Sequence, residues 1–171
     1  MSEGILRTKR LWLRPFRVAD LDDLAAILGD PETMRFYSRP YTREECLEWI
    51  HRNVARYEER SMGLWAIELI GSGEFIGDCG PVPQVVDGRE EIELGWHVSK
   101  RHWRKGFGSE AAAACRDHAF ETLGLRRLIA LIRPENVRSR RLAERIGMTV
   151  ERETSWGRGG WPHLVYVVER T

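Results

Sequence analysis

Nothing in this sequence is long and apolar enough to cross a bilayer; every hydrophobic run falls well short of the roughly 20 residues a spanning helix needs. A surplus of charge is missing too. Lys and Arg number 27 and Asp and Glu 26, a net of +1, which removes the bulk electrostatic case for a nucleic-acid or membrane partner. Cysteine is scarce and odd in number. Cys46, Cys79 and Cys115 are widely spaced and lack histidines at ligand spacing, so reduced core thiols are expected, with no disulfide framework and no metal site. The opening Met1–Ile5 lacks the basic-then-apolar shape of a signal peptide, and a cytoplasmic protein is expected. Repeats, linkers and low-complexity segments are absent as well. One domain over residues 1–171 is therefore expected, long enough to bury about two-thirds of its unfolded surface.

What is present centres on one stretch. Glu93–Val98 reads as a strand, Ser99–Gly108 as a basic loop with Gly106 and Gly108, and the alanine-rich run up to Gly124 as a helix with Ser109 and Glu110 in its first turn. Glycines at a helix start let several backbone N–H groups point outward, where the helix dipole adds partial positive charge. With Arg104 and Lys105 beside them, these groups make a seat for a pyrophosphate. The seat is not a P-loop, since no Lys-Ser/Thr follows Gly108, and a dinucleotide fingerprint would have its strand near the start of a parallel unit.

The flanking chain is strongly patterned. Leu11–Phe16 alternates as a strand ended by Pro15, and Asp20 is placed to cap a short helix carrying Leu21, Leu24, Ala25 and Leu28. Thr42–Glu45 is a capping box before a helix that reaches about Arg60. Gly63–Leu69 and Glu74–Gly80 read as a hairpin ended by Pro81 and Pro83, and Asp87-Gly88 as a tight turn into the central strand. Arg127–Ile132 is a further strand, Val137–Ile146 a helix, and Thr149–Ser155 with His163–Glu169 a closing hairpin. The order gives a mixed α/β sheet of seven strands, antiparallel except for one helical crossover.

Five pieces in this order resemble the GNAT acyl-CoA N-acetyltransferases, and within them the branch that acetylates N-terminal alanine of ribosomal proteins. They are Leu6–Pro15, Phe75–Gly80, Trp103–Gly108, Asn136–Ser139 and Glu144–Met148. The resemblance implies a mostly antiparallel sheet of six to seven strands flanked by helices, with acetyl-CoA as cosubstrate at a splayed pair of parallel strands. It implies direct attack by an amine, and no nucleophile–base pair for an acyl-enzyme is legible. It places the pyrophosphate on Arg104, Lys105, Gly106, Phe107, Gly108 and Ser109, and the pantetheine along Trp96, His97 and Val98. Asn136 and Arg141 belong to the second CoA motif, with Arg138, Arg141 and Arg145 either meeting a CoA phosphate or facing solvent.

The same resemblance makes the Val98 N–H the oxyanion donor and Glu93 the base; Glu93 could equally pair with an arginine. Strand alternation puts Glu93, Gly95 and His97 on one face and Leu94, Trp96 and Val98 on the other, unless a bulge intervenes near Gly95. Many family members protonate the leaving thiolate with a tyrosine where this chain has Ala143. Ser139 matches the branch's hydroxyl near the sulfur, or else it caps its helix. His51, His102, His118 and His163 read as surface or core positions. Trp156 and Trp161, with Met34, Tyr37 and Tyr41, line an acceptor groove or belong to the core. The acceptor is expected to be the α-amine of a protein N-terminus. The alternatives are a small-molecule amine (antibiotic, polyamine or amino acid) and a CoA-binding module with little catalysis. Acetyl is not distinguished from larger acyl groups, and a homodimer is left open.

Overall fold

A computed structural model of the protein describes residues 4–171. Met1–Glu3, part of the stretch read for a signal peptide, lies outside them. In chain order the elements are β1 (Leu6–Arg7), β2 (Leu11–Arg14), α1 (Leu21–Leu28), α2 (Arg43–Arg60), β3 (Trp65–Leu69), β4 (Phe75–Val86), β5 (Arg89–Val98), α3 (Phe107–Glu121), β6 (Arg127–Ile132), α4 (Val137–Arg145), β7 (Thr149–Trp156) and β8 (Trp161–Glu169). The strands make one sheet in the order β1-β2-β3-β4-β5-β6-β8-β7. Every pairing is antiparallel except β5 with β6. The expected architecture is therefore present. The two-residue β1 brings the strand count to eight rather than six or seven.

Each face of the sheet buries its own pair of helices. Leu94, Ile76 and Trp65 join Ala111, Ala112, Cys115 and Ala119 of α3 and Ala143 of α4 in one core. The run of alanines lets α3 lie close to the strands, because small side chains keep the helix axis near the sheet. On the opposite face Leu64, Ala66 and Val82 pack under Leu24, Leu28, Cys46 and Ile50 of α1 and α2. The three cysteines are buried and unpaired. Among the described residues no helix is long and apolar enough to cross a membrane.

Local chemistry explains most boundaries. The Thr42 hydroxyl accepts from the Glu45 amide at 3.2 Å while the Glu45 carboxylate takes the Thr42 amide at 2.8 Å, closing the capping box of α2. Asp87 and Gly88 both have positive φ, 50° and 75°, the geometry of a two-residue hairpin turn. Two expectations fail. Pro81 and Pro83 do not end β4; they pair with Leu94 and Ile92 of β5. The Ser99 amide bonds the Ile76 carbonyl, so alternation turns residues 81 and 83 away from β5. That edge has already lost β3, whose pairing begins at Trp65 opposite Cys79. The prolines forfeit no ladder bond and lie where β3 no longer pairs with β4.

Asp20, the second failure, does not cap α1. Its carboxylate accepts from Arg14 at 2.8 and 2.7 Å and from the Arg17 amide at 2.7 Å. Arg14 also reaches Glu68 of β3 at 2.7 Å, and it is only 3% exposed. This buried triad ties β2 and β3 to the start of α1. Arg14→Leu strands the Asp20 carboxylate without its counter-ion, and urea unfolding should show a loss of about 3–5 kcal/mol. A loss below about 1 kcal/mol would mean that the triad does not hold α1 in place.

Candidate active site

The parallel pair is the singular point of the sheet. β5 and β6 bond beside one register position, Glu93 opposite Ile129, and then diverge. The antiparallel ladder on the other side of β5 continues without a shift to Val98 opposite Gly77, so no bulge disturbs the alternation at Gly95. Ladder alternation directs the His97 amide at β4 and the Trp96 and Val98 amides into the gap left by β6. Two cavities open from this gap, of about 860 Å³ on the α3–α4 side and about 450 Å³ on the α2 side. Both are bounded by Tyr37, Trp96, His97, Asn136 and Ser139, so they form one passage through the sheet.

The larger cavity is built for anions. Gly106, with φ 80°, precedes α3 as a left-handed N-cap, and no side chain caps it. Among the described residues none of the amides of 104–109 donates to another protein group. Gly108 answers to packing instead: a Cβ there would sit 2.9 Å from Leu142 and 3.5 Å from Val98. Arg10 fixes the corner, donating to the Lys105 carbonyl at 3.0 Å and to Glu110 at 2.6 Å. Arg35, Arg104, Arg138, Arg141 and Arg145 line the cavity, and among the described residues none has a carboxylate within salt-bridge distance. Burial, together with the charges of Arg104 and Arg35, lowers the pKa of Arg138, only partly offset by Glu32. Arg138 stacks on Trp103, and the buried Nδ1 of His102 has no partner. A polyanion fits these groups.

The smaller cavity mixes aromatics and charge. Trp156, Trp161, Tyr37 and Tyr41 line it with Arg56 and Arg158. Glu93 lies on its wall, half-buried, accepting from Gln84 at 2.9 Å. Burial raises its pKa, against the Gln84 bond, the Leu131 amide and the charges of His97 and Arg56. Among the described residues no group of three or more His, Cys, Asp or Glu is placed to hold a metal.

Residues 10–149 match the model of the acetyltransferase (GNAT) domain family. The chain belongs to the GNAT acetyltransferase family. It is 37% identical over 144 residues to an uncharacterized protein of Bacillus subtilis, YkkB, across 84% of each chain. It is 33% identical to the crystal structure of an acetyltransferase from Agrobacterium tumefaciens, with a TM-score of 0.84 over 99% of this chain and 96% of the other. A ribosomal L7/L12 α-N-protein acetyltransferase solved with coenzyme A shares the fold at 16% identity, with a TM-score of 0.78 over 98% of both chains. GNAT acetyltransferases use acetyl-CoA, and this chain is a GNAT N-acetyltransferase.

The residues assigned from this GNAT chain's sequence fall on both sides of the gap. Arg104, Gly106, Phe107, Gly108, Ser109 and Arg141 line the α3–α4 cavity, whereas the Lys105 side chain does not. Asn136 lies at the junction and caps α4, accepting from the Ser139 amide at 3.2 Å. Ser139 itself is no cap; its hydroxyl accepts from the Trp96 indole at 3.3 Å. Of the two cavities Glu93 lines only the one on the α2 side, and among the described residues no arginine bridges it. His97 bounds both cavities, with its main chain paired to β4 and its ring bonded to Asp78 and Tyr37. The Val98 carbonyl is also engaged, accepting from Trp103 Nε1 at 2.7 Å, which leaves only the Val98 amide facing the gap. Met34 is core, 1% exposed. Sequence reasoning missed Asp78, Trp103 and Arg35.

An acidic residue in the first turn of a helix stabilises it but repels a bound phosphate. Ser109→Glu should therefore keep or raise the Tm while weakening CoA binding, read by calorimetry, by about tenfold or more. An unchanged Kd would contradict an anion seat at this corner.

Proposed function

We propose that the chain, acting as one domain over residues 1–171, transfers the acetyl group of acetyl-CoA to a primary amine by direct attack in a ternary complex, with the α-amine of a protein or peptide as its acceptor. The passage through the sheet carries this reading: an anion seat opens on one face, a carboxylate on the other, and peptide N–H groups lie between. The CoA pyrophosphate sits on the amides of Arg104–Ser109, with Arg141 and its neighbours holding the remaining phosphate. The pantetheine follows Trp96 and Val98 and passes Asn136.

From there each residue has a separate task. The Val98 amide stabilises negative charge as it develops on the acyl oxygen, a contribution of about 2.7–4 kcal/mol for a preorganised donor. The Ser139 hydroxyl, whose oxygen is engaged by Trp96, retains its proton to hydrogen-bond the sulfur. Glu93 takes the proton of the incoming amine, directly or through water. An α-amine has a pKa of about 7.7–8.0 against about 10.4 for lysine, so a carboxylate with a raised pKa is matched to the easier of the two. The Trp156–Trp161 turn gives the acceptor an aromatic wall. A second reading rests on Arg56 and Arg158, which line the acceptor side and, among the described residues, have no carboxylate at salt-bridge distance: a small amine that also carries an anionic group.

Thiol release from acetyl-CoA with a panel of amines separates the readings. Turnover on peptides beginning with alanine supports the first, and turnover confined to small anionic amines supports the second. CoA binding without turnover on any amine contradicts both. Compared with wild type at the same pH, Glu93→Gln should lower kcat by about a hundredfold below the pKa of the amine, and the defect should shrink above about pH 8, where the free amine is already present. A defect constant across pH would make Glu93 structural.

A further inference from the structure

One hydroxyl at the junction is wired to a buried charge. Tyr37, on the segment after α1, has its Oη 2.7 Å from Nε2 of His97. Nδ1 of His97 lies 2.7 Å from Oδ1 of Asp78, and Oδ2 of Asp78 accepts from the Trp49 indole at 3.1 Å. Asp78 is completely buried and His97 nearly so, whereas Tyr37 keeps 41% of its surface open. The chain of bonds thus runs from the core to the wall shared by both cavities.

The other groups at this junction cannot supply a proton and have it replaced. The Trp96 indole is given to Ser139, and the Asn136 side chain is spent on α4. Ser139 has that indole as its side-chain partner, a donor that cannot return a proton to the hydroxyl. Among the described residues only Tyr37 combines an O–H in the passage with a titratable partner behind it.

Resting on the acetyl-transfer reading above, we propose that Tyr37 is the proton donor to the departing thiol sulfur, with His97 resupplying it and Asp78 holding His97 cationic and oriented. As the acceptor nitrogen bonds the acyl carbon and the C–S bond breaks, the sulfur keeps the electron pair. Tyr37 gives its hydroxyl proton to that sulfur and takes one from Nε2 of His97. His97 is left neutral, its Nδ1–H still on Asp78, and is recharged from solvent or from Glu93 on the same cavity wall. The direction of the Tyr37–His97 bond sets the polarity. A cationic ring donates from both nitrogens and frees the Tyr37 O–H, whereas a neutral ring with Nδ1–H accepts from it.

The surroundings favour the cation. Burial alone would lower the pKa of His97, but the charge and hydrogen bond of Asp78, with Glu93 beyond, outweigh it and raise it above the ordinary 6.5. Burial, aided by Glu93, Tyr41 and Asp78, keeps the Tyr37 phenol un-ionised at working pH, so Tyr37 relays the proton and His97 stores it. Asp78 from β4 and Tyr37 from the segment after α1 bond this ring and Glu93 from β5 acts on it by charge; Tyr41 and, from α2, Arg52 and Arg56 share the cavity wall, and Cys46 of α2 lies near Asp78.

The test measures kcat against pH for the full chain with acetyl-CoA and an accepted amine, alongside ¹⁵N NMR of the His97 imidazole without substrate. Wild type should lose kcat on an alkaline limb above pH 6.5, and the Nε2 proton should titrate over the same range. Tyr37→Phe should leave the CoA Kd unchanged, lower kcat by about a hundredfold, and erase that limb. Asp78→Asn should move the limb and the NMR titration to lower pH. Wild-type turnover matched by Tyr37→Phe to within about threefold overturns the relay alone, as does an Nε2 already unprotonated below pH 6.5. A wild type that releases no thiol overturns the acetyl-transfer reading and the relay with it.

Discussion

One broken pairing organises this molecule. β5 is bonded along its whole length to β4, but to β6 only beside Glu93. In a sheet an unpaired strand edge offers its peptide groups to whatever extended partner arrives. Here that edge lies inside the protein, between helices on both faces, so the vacancy becomes a passage rather than an aggregation hazard. The α3 amides, the arginines of α4, Glu93 and the Asp78–His97 pair all gain their significance from facing this one gap.

The two faces are kept chemically distinct. On the α3–α4 side five arginines stand, among the described residues, without a carboxylate at salt-bridge distance, and Arg138 feels the repulsion of its neighbours, an arrangement unfavourable unless an anion relieves it. On the α2 side carboxylates and arginines intermingle; burial raises the proton affinity of Glu93, whereas that of His97 is raised by Asp78 against burial. The rigid supports are apolar or fully bonded: the Arg14 triad, the capping box of α2, and the Tyr57 hydroxyl on the Leu64 carbonyl. Arg104 and Gly106, in the turn before α3, both have positive φ, as do Ser61 and Asp87 at other turns.

Features that depend on neighbours in sequence were legible. Spacing alone located the strand–glycine–helix corner, the Thr42–Glu45 box and the Asp87-Gly88 turn. Features that depend on which side of a strand faces its partner were not. Pro81 and Pro83 read as terminators because sequence does not say which edge of β4 lies open. Asp20 read as a cap because a buried arginine six residues earlier leaves no local pattern. The Tyr37–His97–Asp78 bonds join residues far apart in the chain, yet one signal was available. A two-residue hairpin turn fixes register, and counting outward from Val86 opposite Arg89 reaches Asp78 opposite His97.

The central claim is that a polyanion settles on the amides between β5 and α3. The most direct measurement is an amide NMR titration of the protein with desulfo-CoA, which carries the phosphates but no thiol. Large shifts of the 104–109 amides, together with those of Trp96 and Val98, are the predicted result. Saturable binding that leaves these amides unmoved and perturbs another surface would contradict the account.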